Sequence, residues 1–290
     1  MRVGILISDP QDWTAKSMMA SFLRSGADAA FLDFSMLCAI IDDDISLRCG
    51  CEDLRSLDGV VVRDLGRRGK GDVPFRFEAL QALESMGMTV MNSPSAIARA
   101  ANKFAATLAL QNANVPTPGT VVTSSPDEAL EALMKYEKVV SKPLFGYKGK
   151  GIQQFSKGDE AKLVDLVEEQ GLAYLQEFIA SENPRDIRAF VVADRVMGAI
   201  YRIAPPGHWI SNLARGGHAE PCPLSDELED LALRANRAVG TIYSGVDLME
   251  TSEGLKVIEV NGTPSGKGIF EALGADVTEA IALAFMQECH

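Results

Sequence analysis

Asp247, Glu259 and Asn261 lie in two strand-like runs, "GVDLME" and "LKVIEVNG", joined by "TSEG". Side chains alternate faces along a strand, so Glu259 and Asn261, two positions apart, point the same way. A turn centred on Glu253, with Gly254 at its end, predicts a β-hairpin in which Asp247 sits across from Glu259. The hairpin then gathers three oxygen donors on one face. Oxygen-only ligands with positions left for other atoms suit Mg²⁺ shared with substrate phosphates. A solvated face on an edge hairpin accounts for the same residues, and the two readings stay open on these residues alone.

Other stretches carry groups suited to anions. "FGYKGKGI" follows a strand bearing Lys142, and Gly146, Gly149 and Gly151 free the backbone to turn N–H groups toward a phosphate. Tyr147 lies in the same loop, while Lys148 and Lys150 add charge; a plain mobile hairpin is the alternative. "YLQEFIA" places Gln176 and Glu177 inside an apolar strand, as a hinge bonding a purine or as one polar edge. "DIRAFVV" and "AIYRI" put Asp186, Arg188 and Arg202 on adjacent strands, where arginine is costly unless paired or facing an anion. "SNLARGGH" adds Ser211, Asn212 and Arg215 in a Gly-rich loop. "GTPSGKG" is no P-loop, because only three residues separate Gly262 from Gly266 and Gly268 follows Lys267. Convergence of these stretches, not any one of them, carries the argument.

The elements that position these groups fall into three segments. Residues 2–8, a helix ending near Gly26, "DAAFLDF", "DGVVVRDLG", a helix over 75–87 and "MTVMN" alternate as β-α-β, predicting a small parallel α/β unit. "SPSAIARAANKFAATLALQNANVPTPG" reads as one long helix, opened by Ser93-Pro94 and closed by Asn114 and Pro116. Strands at 119–123, 138–143, 152–155 and 173–179 then alternate with helices at 126–136 and 158–170. Strands near 187–193 and 196–203, a polar loop over 204–222, a helix at 225–239, the hairpin, and a helix at 275–288 complete the chain. The expected boundaries are 1–92, 93–178 and 179–290.

Bulk properties narrow the class. The chain has 290 residues, 47% hydrophobic and 23% charged, and a net charge of −12, which disfavours nucleic acid as the main partner. No apolar run reaches membrane-span length, and "MRVGILIS" lacks the features of a signal peptide. Five scattered cysteines, with Cys49-Gly-Cys51 at the wrong spacing for a metal or redox pair, suit free thiols in a cytoplasmic protein.

With these residues in view, the chain resembles the ATP-grasp ligases, and among them the RimK-type amino-acid ligases. "NSPSAIARAANKFAATLAL", "VVSKPLFGYKGKGI", "LQEFI", "DIRAFVV", "SNLARGG", "GVDL" and "VIEVNGTPSGKGI" occur in family order. The resemblance implies an α/β class with α+β character in the ATP-binding part, behind an N-terminal parallel subdomain. It places Lys103 and Lys142 on ATP phosphates, with the 146–151 loop closing over them. Gln176, Glu177, Phe178 and Ile179 become the adenine-side linker, Asp186 a ribose neighbour, and Arg188 and Asn212 triphosphate neighbours. Asp247, Glu259 and Asn261 would hold two Mg²⁺ ions, with Mn²⁺ able to substitute. Arg202 and Arg215, with the loop at 262–267, would face the acceptor and the acyl phosphate, and together with Lys142 they are the catalytic candidates. Arg63, Trp209, Ser211 and Ser265 are the acceptor candidates. "GHWISN" departs from the Arg that precedes "SN" in simpler members, which puts a ring where a flat heterocycle can stack.

The implied activity is ADP-forming ligation of an amino acid, with glutamate expected, to the carboxylate of a small coenzyme-like acceptor. Alternatives are a ligase acting on a protein tail or acidic carrier protein, a glutathione-synthetase-like ligase, and a non-catalytic ATP-binding module. A homo-oligomer, a dimer or tetramer, is expected.

Overall fold

The computed structural model describes residues 1–66, 72–146, 149–181, 183–213 and 216–289. Its N-terminal part runs through β1 (Arg2–Ile7), α1 (Trp13–Arg24), β2 (Asp28–Asp33), β3 (Leu37–Ile41), β4 (Ile45–Cys49), β5 (Glu52–Asp53), β6 (Gly59–Val62), α2 (Asp72–Ser85) and β7 (Thr89–Met91). Strands β2-β1-β6-β7 form a parallel sheet, and "GVVV" in β6 is buried throughout, as a strand covered on both faces must be. The antiparallel flap β3-β4-β5 interrupts the simple alternation. Its tight turn is the run Asp42-Asp43-Asp44, and three of the five free cysteines lie in or beside it.

The single long helix expected after residue 93 is two helices, α3 (Pro94–Ala101) and α4 (Lys103–Asn112). Asn102 breaks it. Its backbone is extended (φ −91°, ψ 104°) and bridges Phe145, while its Oδ1 accepts from the Ala105 N–H at 3.2 Å. One residue thus ends α3 and caps α4. An Ala-rich sequence hides this, because the competing partner is 43 positions away.

The central part holds β8 (Thr120–Thr123), α5 (Pro126–Tyr136), β9 (Lys138–Lys142), β10 (Gln153–Ser156), α6 (Glu160–Gln170) and β11 (Ala173–Glu177). Its antiparallel sheet has the order β10-β9-β11-β8. The last part contains β12 (Arg185–Val192), β13 (Arg195–Ile203), β14 (His218–Cys222), α7 (Asp226–Val239), β15 (Tyr243–Thr251), β16 (Gly254–Asn261), α8 (Lys267–Leu273) and α9 (Val277–Glu288), with sheet order β14-β13-β12-β15-β16. One face of this sheet is apolar: Ile187, Val191, Val246, Leu248, Val257 and Val260 pack with Leu228, Leu231 and Val239 of α7. Burying that face leaves the opposite one for polar work. The last helix, α9, packs on α1, with Phe285 edge-on to Phe22 at 5.5 Å, and so completes the N-terminal core. Among the described residues no helix is long and apolar enough to cross a membrane.

Candidate active site

The β15–β16 hairpin brings Asp247 opposite Glu259 and Gly245 opposite Asn261. The route is not the expected symmetric turn. Thr251 pairs with Gly254, so the turn is centred between Ser252 and Glu253. Continued unbroken, that register would set Asp247 against Ile258 and aim Glu259 at α7. A β-bulge leaves Ile258 unpaired between Val257, opposite Leu248, and Glu259, opposite Asp247. The extra residue turns Glu259 and Asn261 onto the face of Asp247.

Two neighbouring strands add to that face. Arg188 of β12 is directly opposite Asp247, and Asp186 is opposite Arg202 of β13. Arg202, 5% exposed, donates to Asp186 at 2.6 and 2.7 Å and to Asp247 at 2.8 Å. Arg188 grips Asp247 through both Nε and Nη2. Ser211 donates to Asp186 at 2.7 Å. Burial pushes the Asp247 carboxyl up, but Arg188 and Arg202 outweigh it and hold it below the usual carboxylate range. The same two carboxylates overcome burial at Arg202 and raise its pKa. Asp186, expected beside a ribose, and Arg202, expected at the acceptor, are in this structure partners in a buried ion network.

The helix break at Asn102 decides where Lys103 goes. The Lys103 N–H donates to Leu144 O, and its Nζ lies 3.3 Å from Glu259 and 3.4 Å from the Gly146 carbonyl. Lys142 donates to Gln176 Oε1 at 2.6 Å; Gln176, only 3% exposed, reaches Thr120 and Tyr174 through its amide. Burial, reinforced by Lys103, pulls Lys142 down to about 8 against the attraction of Glu259, Asp247 and Asp186.

Most of these groups, though not Arg188 or Asn261, line a cavity of about 400 Å³ between the central and C-terminal sheets, within the range of small-ligand sites. Its apolar walls, Val140, Ile152, Met249 and Ile258, are residues the sequence reading missed, although Val140 and Met249 are two positions from Lys142 and Asp247 and so share their faces. At the linker end, Glu177 accepts from the Gly119 N–H, Phe178 donates its N–H to Lys138 O, and Ile179 lines the cavity. Lys138, also unforeseen, sits 4.4 Å from the Phe178 ring centroid. Gly149, at φ +67°, is packed so tightly that a Cβ there would come within 2.6 Å of Asn212 Oδ1. Loop 149–151 and the segment around Asn212 therefore close on each other. Gly151 (φ +72°) is the second left-handed glycine of the loop.

The acceptor candidates separate. Trp209 and Ser211 line the cavity, with Trp209 edge-on to Phe178 at 5.7 Å. Arg63 and Ser265 do not. Arg63 is buried between Asp12 (3.0 Å) and the Pro264 carbonyl (2.9 Å), and Ser265 lies 3.3 Å from Thr14, so both join the N-terminal part to the loop after β16. Tyr147, Lys148 and Arg215 fall outside the described residues.

The donor set fits a magnesium nucleotide. Among the described residues no three His, Cys, Asp or Glu side chains converge as a protein-only metal cage. Two carboxylates and the Oδ1 of Asn261, whose Nδ2 is spent on Gly245 O, instead match an ion that draws its remaining ligands from phosphate.

Comparison with known proteins gives the family. Residues 100–285 match the RimK-like ATP-grasp domain. The chain is 41% identical to the tetrahydromethanopterin:alpha-L-glutamate ligase of Methanosarcina acetivorans, covering 99% of this chain and 98% of that protein. It is 36% identical to the enzyme of the same name from Methanocaldococcus jannaschii, over 99% of each. The solved structure of ATP-grasp ligase PsnB, complexed with minimal precursor, Mg and ADP, superposes with a TM-score of 0.76 at 20% identity, over 100% of this chain and 97% of that one. A buried charge face opposite an apolar linker, carried on a full-length match of this kind, identifies the chain as a member of the RimK-like ATP-grasp family of ligases.

Proposed function

We propose that the protein is an ADP-forming ligase that joins the amine of L-glutamate to a carboxylate of tetrahydromethanopterin. The acceptor and amino acid are those in the names of the relatives at 36–41% identity. The observation that carries the reading is the self-paired charge of the phosphate end. Four cations, Lys103 of α4, Lys142 of β9, and Arg188 and Arg202 of the C-terminal sheet, converge on three carboxylates of that sheet, Asp186, Asp247 and Glu259. Lys103, Arg188 and Arg202 are ion-paired with these carboxylates, and Lys142 is held by the neutral Gln176, so each buried charge has a partner.

Binding exchanges these partners. Asp247, Glu259 and Asn261 would hold Mg²⁺, which supplies neutralisation of the triphosphate. Lys103 and Arg188, released from their carboxylates, take phosphate oxygens in turn. Lys142, held by Gln176, adds a third cation. The acceptor carboxylate attacks the γ-phosphorus: an O–P bond forms, the bond to the β-phosphate oxygen breaks, and ADP leaves. Glutamate nitrogen then attacks the acyl carbon, forming C–N and expelling phosphate, with one amine proton lost to solvent. The protein contributes position and preorganised charge, so no nucleophilic side chain is required.

The test is a complete reaction with tetrahydromethanopterin labelled with ¹⁸O in its carboxylates, glutamate, ATP and Mg²⁺, read by ³¹P NMR. Label is expected in inorganic phosphate, with ADP as coproduct. Pyrophosphate, or label in AMP, overturns the mechanism even where an amide forms.

A further inference from the structure

We propose that Trp209 closes the base end of the cavity and belongs to the nucleotide, not to the acceptor. The inference rests on the ligase reading only in taking ATP as the ligand of the cavity.

Two observations converge. First, Trp209 and Phe178 form one aromatic wall, rings 5.7 Å apart and 78° to each other, a favoured edge-to-face arrangement. Phe178 is fixed in turn by its N–H bond to Lys138 O and by the Lys138 ammonium over its ring. Second, this wall stands at the same cavity as Val140, Ile152, Met249 and Ile258. Aromatic and aliphatic side chains on one stretch of a cavity wall take a flat ring with apolar faces. The only flat ring that must sit beside the linker while its phosphates reach Lys142 and Glu259 is the purine.

The segment also links base to charge. Two residues after Trp209, Ser211 donates to Asp186, and Asn212 abuts Gly149 of the glycine loop. Ser211 and Asn212 thus tie the segment that carries the 37%-exposed Trp209 to the charge network and to the glycine loop.

The chain has two tryptophans, and the other, Trp13, packs on Phe270 of α8 at 5.1 Å. Trp13→Phe leaves Trp209 as sole emitter in an otherwise native site. Its emission is expected to change saturably with MgADP and to ignore tetrahydromethanopterin added alone. Calorimetry should find the MgADP Kd raised about five- to tenfold in Trp209→Ala and within about twofold of wild type in Trp209→Phe, as loss and retention of one aromatic contact dictate. The KM for tetrahydromethanopterin should stay within about twofold in both. Emission that follows tetrahydromethanopterin instead of MgADP, or a nucleotide Kd untouched by Trp209→Ala, overturns the inference while leaving the ligase reading intact. A wild-type protein that binds no MgADP overturns both.

Discussion

The phosphate end and the base end of the cavity are built on opposite principles. At the phosphate end Arg202, Asp186 and Asp247 are nearly fully buried and held by one another and by Arg188 across neighbouring strands, while Lys103 of α4 holds Glu259. At the base end the residues are aromatic and aliphatic, one lysine rides over a ring, and Trp209 is more than a third exposed. Apolar walls need no partner when the site is empty. Buried charges do, so the end proposed for the chemistry is also the end that needs internal pairing. The difference predicts that substitutions at the two ends fail in different ways.

The largest separation should come from Glu259→Gln. The carboxylate at this position is the one that the bulge at Ile258 turns onto the Asp247 face, and its charge is shared with Lys103. Removing it is expected to lower kcat at least about a hundredfold, about 2.7 kcal/mol of barrier, while the emission response of Trp209 to MgADP persists. At 30% side-chain exposure the amide is readily accommodated, so the unfolding midpoint should move little. Turnover within tenfold of wild type at saturating Mg²⁺ would remove the metal role and with it the contrast between the ends.

How much of this was legible in the sequence follows the range of the forces involved. The strands, α7 and the Asp247–Glu259–Asn261 set were readable, because alternation and turn residues act over a few positions. The register itself came from a symmetric turn that the structure does not have; a displaced turn and a one-residue bulge offset each other, and nothing in "KVIEV" announces the unpaired Ile258. The break in the Ala-rich helix was not readable. Its cause is the pairing of Asn102 with Phe145, a tertiary contact that overrides helix propensity. The apolar walls were missed for another reason. Val140 and Met249 look like core residues, and only the packing of the two sheets reveals that their face opens on a cavity.

That helix break supplies the middle-sized effect. Asn102→Ala removes the Oδ1 acceptor of the α4 cap, a loss of about 1 kcal/mol in stability, and favours continuation of α3 into α4. Lys103 should then leave Glu259 and the Gly146 carbonyl. We expect the KM for ATP to rise about fivefold, with that for tetrahydromethanopterin unchanged, because only the phosphate end is disturbed. Steady-state kinetics in both substrates decides this. An equal rise in both would mean that the break serves packing between the parts of the chain and not placement of Lys103.

The smallest expected effect is a fraction of a proton, and it belongs to Lys142. Burial brings this ammonium down to about 8, against an ordinary value of 10.5, although Glu259 pulls the other way. Nucleotide phosphates add negative charge beside it and restore the charged form, so binding must take up protons wherever the free enzyme has lost them. At pH 8 the free lysine is about half charged, and MgADP binding should take up about half a proton. Below pH 7 the lysine is already charged and uptake by this group vanishes. Above pH 8 affinity should fall toward about tenfold per pH unit. Stability of the unliganded chain runs in the opposite direction. The unfolded lysine keeps its proton up to 10.5, so between 8 and 10.5 the unfolded state binds more protons and this group makes folding more favourable as pH rises. Calorimetry of MgADP binding at pH 8 in buffers of different ionisation enthalpy measures the uptake directly. Lys142→Met should abolish it, whereas Trp209→Phe at the base end should leave it unchanged. Uptake that survives in Lys142→Met would assign the proton to another group at the phosphate end and return Lys142 to a permanently charged role.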